Sequence, residues 1–282
     1  MERVAPVASQ GLEEGEAVIV AVDARHLDPL RAAIGPEARY RDAATWYRRP
    51  GKTLAAYHDF ITEALERGAT GVRIIGEPVW PDGPRSLVRA WARYESALND
   101  VMAREPVWAT CPYDVARLSD SVVAEAMRTH PATPDLPTGD FAPPAEFVGR
   151  PDGPPPDHAT WFLVPSPFDV RRSRDMVAGA ARAAGMAETQ VASMTVAVSE
   201  VVTNALRHGR TAARVWTWTE PGMSLVVQVD DGGRGIADPL AGYRPPSGGA
   251  GLGLWTARQM ADVLDLWVRP EGGTSVRISM RA

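Results

Sequence analysis

Cysteine is nearly missing from this chain. Cys111 alone excludes an intramolecular disulfide, and a single cysteine is most often a small buried hydrophobe. No stretch approaches the roughly 20 apolar residues of a membrane span. The opening MERVAPVASQGLEEGEAV has no basic segment leading into an apolar one, so neither membrane insertion nor export is expected. The cytoplasm is the expected location. Concentrated basic charge is missing too: 30 Lys and Arg are dispersed among 35 Asp and Glu, the net charge is -5, and arginines cluster no further than pairs. Direct nucleic-acid binding is therefore not expected, because a phosphate backbone calls for a concentrated basic surface. What the chain does have is length, since 282 residues at 45% hydrophobic content can bury two modest cores.

Prolines recur through HPATPDLPTGDFAPPAEFVGRPDGPPPDHAT, where each removes a backbone donor and blocks continuous helix or sheet. Residues 132–159 read as an extended linker between a first domain over 1–131 and a second over 160–282. In the first domain EAVIVAV, GVRIIGE and PVWATCPYD read as strands. HLDPLRAAIG, TLAAYHDFITEALERGA, SLVRAWARYESALNDVMAR and SDSVVAEAMRTH read as helices. This alternation predicts an α/β domain with a largely parallel sheet. WYRRPGKT ends like a phosphate loop at Gly51, Lys52 and Thr53. The first glycine of G-x-x-x-x-G-K-[ST] would fall at Trp46, however, and Pro50 has no N–H to offer a phosphate.

GLEEGEAVIVAV, the WARYESALND helix, CPYD at 111–114 and HP at 130–131 resemble the MEDS sensory domain, an α/β module similar to the RecA-like ATPases. The resemblance covers roughly 10–131 and implies a sensory role, with which the spoiled phosphate loop agrees. Trp91 and Tyr94 also suit plain core packing.

After the linker WFLVPSPFDVRRSRDMVAGAARAAGM reads as strand then helix, and AETQVASMTVAVSEVVTNALRHG as a long helix ended by Gly209. Along that helix Glu200, Asn204 and His208 are spaced by four, so they share one face. Val196, Val198, Val201, Val202 and Leu206 are its expected packing residues. AARVWTWTE and SLVVQVDD are strands about the hairpin signal PGM. A Gly/Pro-rich loop, a glycine turn opening a helix (AGLGLWTARQMADV) and a final hairpin (LDLWVRPEGGTSVRISM) complete the chain. Helices on one side of these strands imply a two-layer α/β sandwich.

Four motifs stand in order here: SEVVTNALRHG, DDGGRGI, GAGLGL and GGTSV. With the PSPFDV lead-in they resemble the GHKL (Bergerat) ATPase superfamily, and within it the anti-sigma-factor serine/threonine kinases, over roughly 160–281. The resemblance implies ATP and Mg²⁺ as cofactors. The Asn204 amide oxygen is a hard ligand suited to Mg²⁺, and Glu200 becomes the candidate general base. His208 is open to two readings, a donor to phosphate or a helix cap. Asp231 would accept from the adenine amino group, a task for an acceptor-only carboxylate; Asp230 is the alternative register. Gly233 and Gly235 would let the backbone approach base and sugar. Gly249, Gly251, Leu252 and Gly253 would present N–H groups to phosphates at a helix start, and Thr274 would complete the adenine contacts directly or through water. Residues 237–248 are expected to act as a lid.

Three functions compete. A protein serine/threonine kinase of this type would phosphorylate an anti-sigma antagonist, sequester an alternative sigma factor and pair as a homodimer. A sensor histidine kinase would require a phospho-acceptor histidine on a helical hairpin upstream, and the only histidine near that position is His158, set among prolines. A nucleotide-dependent binding switch would not require the base at Glu200. If the GKT at 51–53 is a decoy, Lys52→Ala leaves the ATP affinity of the full chain unchanged in calorimetry, whereas Asn204→Ala lowers it.

Overall fold

A computed structural model describes residues 3–80, 85–132, 139–147, 153–209, 211–236, 238, 240–245 and 252–282. Its contacts divide the chain into two compact units, one of Met1–Pro81 with Leu98–Phe141 and one of Asp82–Ala97 with Ala142–Ala282.

In the first unit AVIVAV is apolar at every position, which suits a strand covered on both faces. It forms β1 (Ala17–Val22) beside β2 (Arg39–Asp42), β3 (Val72–Gly76) and β4 (Val107–Thr110), all parallel, in the order β2-β1-β3-β4. α1 (Val4–Glu13) and α2 (Ala24–Ile34) cover one face, packing Val4, Ala8, Leu30 and Ile34 on Val18, Val20, Val22 and Ile75. α3 (Ala43–Trp46) and α4 (Pro50–Glu66) follow β2, and α4 buries Leu54, Tyr57, Phe60 and Ile61. α5 (Arg85–Met102) runs from the second unit into the first, and α6 (Asp120–Thr129) starts on the cap Ser119.

The expected strands and helices of this half are all present, and α1, β2 and α3 join them. The charged RYRD of β2 gave no apolar signal because it is a half-exposed edge strand that needs only one neighbour. Arg73, inside β3, is buried because its guanidinium donates to Glu16 (2.5 Å), Glu14 (3.0 Å) and the Val7 carbonyl (3.0 Å). Gly51, Lys52 and Thr53 lie in the first turn of α4, where the Thr53 hydroxyl donates to the Trp46 (2.7 Å) and Arg49 (3.0 Å) carbonyls. That hydroxyl is spent on helix geometry.

In the second unit α7 (Pro144–Phe147) leads to β5 (Thr160–Val164), α8 (Val170–Ala183) and the 21-residue α9 (Glu188–His208). β6 (Ala213–Glu220), β7 (Met223–Asp230), α10 (Leu252–Met260), β8 (Val263–Val268) and β9 (Thr274–Met280) complete it. The sheet is antiparallel in the order β5-β6-β7-β9-β8. Gly222, at φ 81°, makes the turn between β6 and β7.

Val177, Ala181, Val191, Met194, Val198, Val201, Val202 and Ala205 on the helices meet Val215, Leu225, Val227, Val229, Val276 and Ile278 on the strands. Val196 is a correction, since at 41% exposed it lies off the inward stripe that the 3.6-residue repeat draws through 194, 198, 201 and 205. On the other sheet face period-two alternation brings polar groups together: Arg277 donates to Gln228 (2.7 and 3.1 Å) and Gln228 to Asp230 (2.9 Å). The proline-rich stretch takes part in this packing, with Ala142 buried and accepting from the Ser96 hydroxyl (2.8 Å). The Gly153 carbonyl likewise accepts from Arg277 (3.1 Å).

α5 also buries Glu95, and burial pushes its carboxyl from its ordinary 4.5 up to about 8. Between these values the unfolded chain gives up a proton that the folded chain keeps, so stability falls as pH rises across that window. Thermal unfolding at pH 5 and pH 8 should show Glu95→Gln gaining on the wild type at the higher pH.

Candidate functional site

α9 carries one row of polar groups while its opposite side is in the core. Its start is set by Gln190, whose side chain accepts from the Ala187 N–H (2.9 Å), and its end by Gly209, whose N–H closes on the Ala205 carbonyl (2.7 Å). Between these ends Ala197, Val198, Val201, Val202 and Ala205 bury, which turns Glu200, Asn204 and His208 towards the adjoining side. None of the three side chains has a hydrogen-bond partner among the described residues. Asn204 and Glu200 are half-buried, and His208 is exposed. Three polar groups held in line, with no side-chain partner among the described residues, suit a ligand.

A cavity of about 460 Å³ opens beside this row. Asn204 and His208 line it together with Asp231, Gly233, Gly235, Leu254 and Thr274. The end of β7 supplies Asp231, whose Oδ1 accepts from the N–H of Gly233 (2.8 Å) and of Thr274 (3.0 Å). Asp231 and Thr274 are further joined by an N–H to carbonyl bond (2.9 Å). Two strand ends are thus tied through one oxygen, and Oδ2 has no partner among the described residues. The neighbouring Asp230 is engaged on the other face of the sheet by Trp216 (3.0 Å), Gln228 (2.9 Å) and Ser275 (2.6 Å). Strand alternation therefore leaves Asp231 at the cavity and Asp230 away from it.

The glycines keep this space open. A Cβ on Gly233 would stand 2.7 Å from the His208 carbonyl, and one on Gly235, at φ 86°, 2.8 Å from Val268. At Gly253 in the first turn of α10 a Cβ would come within 2.8 Å of the Asn204 amide and 3.1 Å of the Glu200 carboxylate. The absence of that side chain lets α10 approach the row directly. Leu252, the first residue of α10, is 51% exposed. Gly249 and Gly251 lie outside the described residues, as do 237, 239 and 246–248 of the expected lid.

Arg269 is a neighbour that motif spacing did not single out. Its Nη2 donates to the Asp231 carbonyl (2.8 Å) and to that of Gly272 (3.1 Å), bracing the GGT turn against the end of β7. An arginine three residues before the GGTSV motif, just past the end of β8, was the available signal.

An acceptor carboxylate, an amide with no partner among the described residues and a glycine-lined cavity at a helix start, set in an α/β sandwich, make an arrangement suited to a nucleotide. Residues 163–280 match the histidine kinase-like ATPase domain, and residues 1–131 match MEDS, the methanogen/methylotroph, DcmR sensory domain. The chain is a GHKL-type ATPase joined to a MEDS sensory domain. No curated protein matches it significantly. ATP binding follows from the ATPase domain, and the donor set fits it, with Asn204 open to a hard cation and Asp231 Oδ2 open to an amino group. No helix among the described residues is long and apolar enough to cross a membrane.

Asp231→Asn keeps the Oδ1 acceptor that ties Gly233 to Thr274 and replaces the free oxygen by a donor. It should lower ATP affinity by roughly 10- to 100-fold, the weight of a hydrogen bond to a charged group. Gly253→Ala should lower it as well, by crowding Asn204. Calorimetry with Mg²⁺ and ATP, beside unchanged thermal unfolding for Asp231→Asn, checks both.

Proposed function

We propose that this protein is an ATP-dependent protein serine/threonine kinase of the anti-sigma-factor type, controlled by its MEDS domain. Its substrate is an anti-sigma antagonist bearing a serine or threonine, and its other partner an alternative sigma factor. The observation that carries the reading is Glu200, a half-buried carboxylate with no partner among the described residues, one helical turn from Asn204 and beside Gly253. A base that must take a proton is best left unengaged.

In this reading ATP is the phosphoryl donor, and a bound Mg²⁺ would supply neutralisation of the phosphate charge. Asn204 offers its amide oxygen to the metal. Asp231 orients the base through Oδ2, and His208, exposed at the end of α9, offers a donor to phosphate. Glu200 accepts the proton of the attacking hydroxyl, whose oxygen forms the new ester bond to the γ-phosphorus as the bond from that phosphorus to the bridging oxygen breaks and ADP leaves.

A histidine kinase is supported less well. His158 is exposed outside any helix, and between 139 and 159 the described residues hold only the four-residue α7. Glu200→Gln preserves size and leaves the Asn204 and Asp231 contacts in place, so ATP affinity should stay nearly constant. Transfer to the antagonist should fall by roughly 10² to 10⁴, the contribution of a positioned proton acceptor. Acid-stable phosphate on the separate protein is the readout. Wild type that binds ATP and its antagonist without forming any would be a switch instead.

A further inference from the structure

Helix α5 contributes a buried charge to the ATPase unit. Arg93 is 2% exposed and makes a short ion pair with Asp265 on β8, and its Nη1 donates to the Leu264 carbonyl (3.4 Å). The same carbonyl accepts from Nη1 of a second buried arginine, Arg258 on α10 (3.0 Å). Arg258 has a further duty. Its Nε donates to the Ala241 carbonyl (2.9 Å), and its guanidinium lies 3.9 Å from the centroid of the buried Tyr243 ring. Arg258 therefore pins the turn 240–243, whose own bonds are Ala241 N–H to Asp238 (3.1 Å) and Tyr243 N–H to Leu240 (2.8 Å).

That turn adjoins the nucleotide cavity. Gly242, at φ 75°, comes so close to Leu254 that a Cβ there would stand 2.9 Å from it, and Leu254 lines the cavity. Asp265 is a buried carboxylate in the field of Arg93 and Arg258, while Arg277, opposite it on β9, is engaged by Gln228. Burial opposes the charge of Arg93, but Asp265 and Tyr243 outweigh it and its pKa is raised. Burial lowers that of Arg258, with Tyr243 and Asp265 opposing and Arg93 adding to the fall. Among the described residues only Arg93 holds an ion pair with Asp265.

We infer that Arg93 is a positioning residue for the nucleotide site: by satisfying Asp265 it leaves Arg258 to hold the turn 240–243 against Leu254. Without Arg93, Asp265 is a buried charge lacking its partner, and such a charge draws in a neighbouring cation. Arg277, opposite it on β9, is held by Gln228 and the Gly153 carbonyl, so the demand falls on Arg258, which already reaches the adjacent Leu264 carbonyl. Arg258 then turns from Ala241 and Tyr243 towards Asp265, and the turn loses its anchor. The inference rests on the cavity being the ATP site. It gives α5 a direct hold on nucleotide affinity without contact to the ligand.

The test uses the full chain, a fluorescent ATP analogue with Mg²⁺, and hydrogen exchange at the Ala241 and Tyr243 amides without nucleotide. Arg93→Met should weaken binding by about tenfold and speed both amides, and adding Asp265→Asn should bring affinity back to within about twofold, since the charge that diverts Arg258 is gone. A merely structural Arg93 would make the double variant no better than the single one, and that result overturns the inference. Should Arg93→Met fail to fold, Tyr243→Leu keeps the ion pair and must still weaken binding and speed the Ala241 amide; wild-type values for it would also overturn the inference. A wild type that binds no analogue would refute the ATPase reading instead, while the exchange rates would still judge Arg93.

Discussion

α9 must satisfy two demands at once. One side has to bury a continuous apolar stripe against β7 and β9, and the adjoining side presents Glu200, Asn204 and His208, which have no side-chain partner among the described residues. The two are compatible because a helix repeats every 3.6 residues, so positions four apart drift only slowly around its axis. Packing of Val198, Val201, Val202 and Ala205 sets the rotation of the helix, and that rotation decides where the polar row points. The unsatisfied groups are held by apolar contacts made elsewhere.

The rest of the site is arranged against this row. Asp231 is placed by the end of β7, and its Oδ1 ties Gly233 and Thr274 into one corner. Arg269 braces the same corner from the next turn. α10 can approach because Gly253 carries no side chain. These groups stand on or directly beside helices and strands, which limits how far they can reorganise.

Buried charges appear where the sheet of the second unit would otherwise need an apolar cover. Arg93 with Asp265, Arg258 with Tyr243 and Arg277 with Gln228 are each paired or stacked. A buried ion pair adds little stability over a hydrophobic pair, and breaking one is costly. Such pairs define one arrangement against near alternatives, which suits a protein whose chemistry depends on positioning.

Much of this molecule was determined by its sequence alone. The all-apolar AVIVAV, the four-residue spacing of Glu200, Asn204 and His208, and the glycines of the later motifs depend on local periodicity and backbone freedom, which the chain carries with it. The resemblance favoured Asp231 over Asp230 through the glycines that follow, and strand alternation puts Asp231, not Asp230, at the cavity. Tertiary structure decided what depends on distant partners: the half-exposed edge strand RYRD, the burial of Arg73 among Glu14 and Glu16, the exposure of Val196, and the bracing by Arg269. It also decided that α5 places Arg93 on Asp265, 172 positions further along the chain. A charged residue reads as solvent-exposed until its counter-ion is known, and no local pattern encodes a counter-ion brought by the fold.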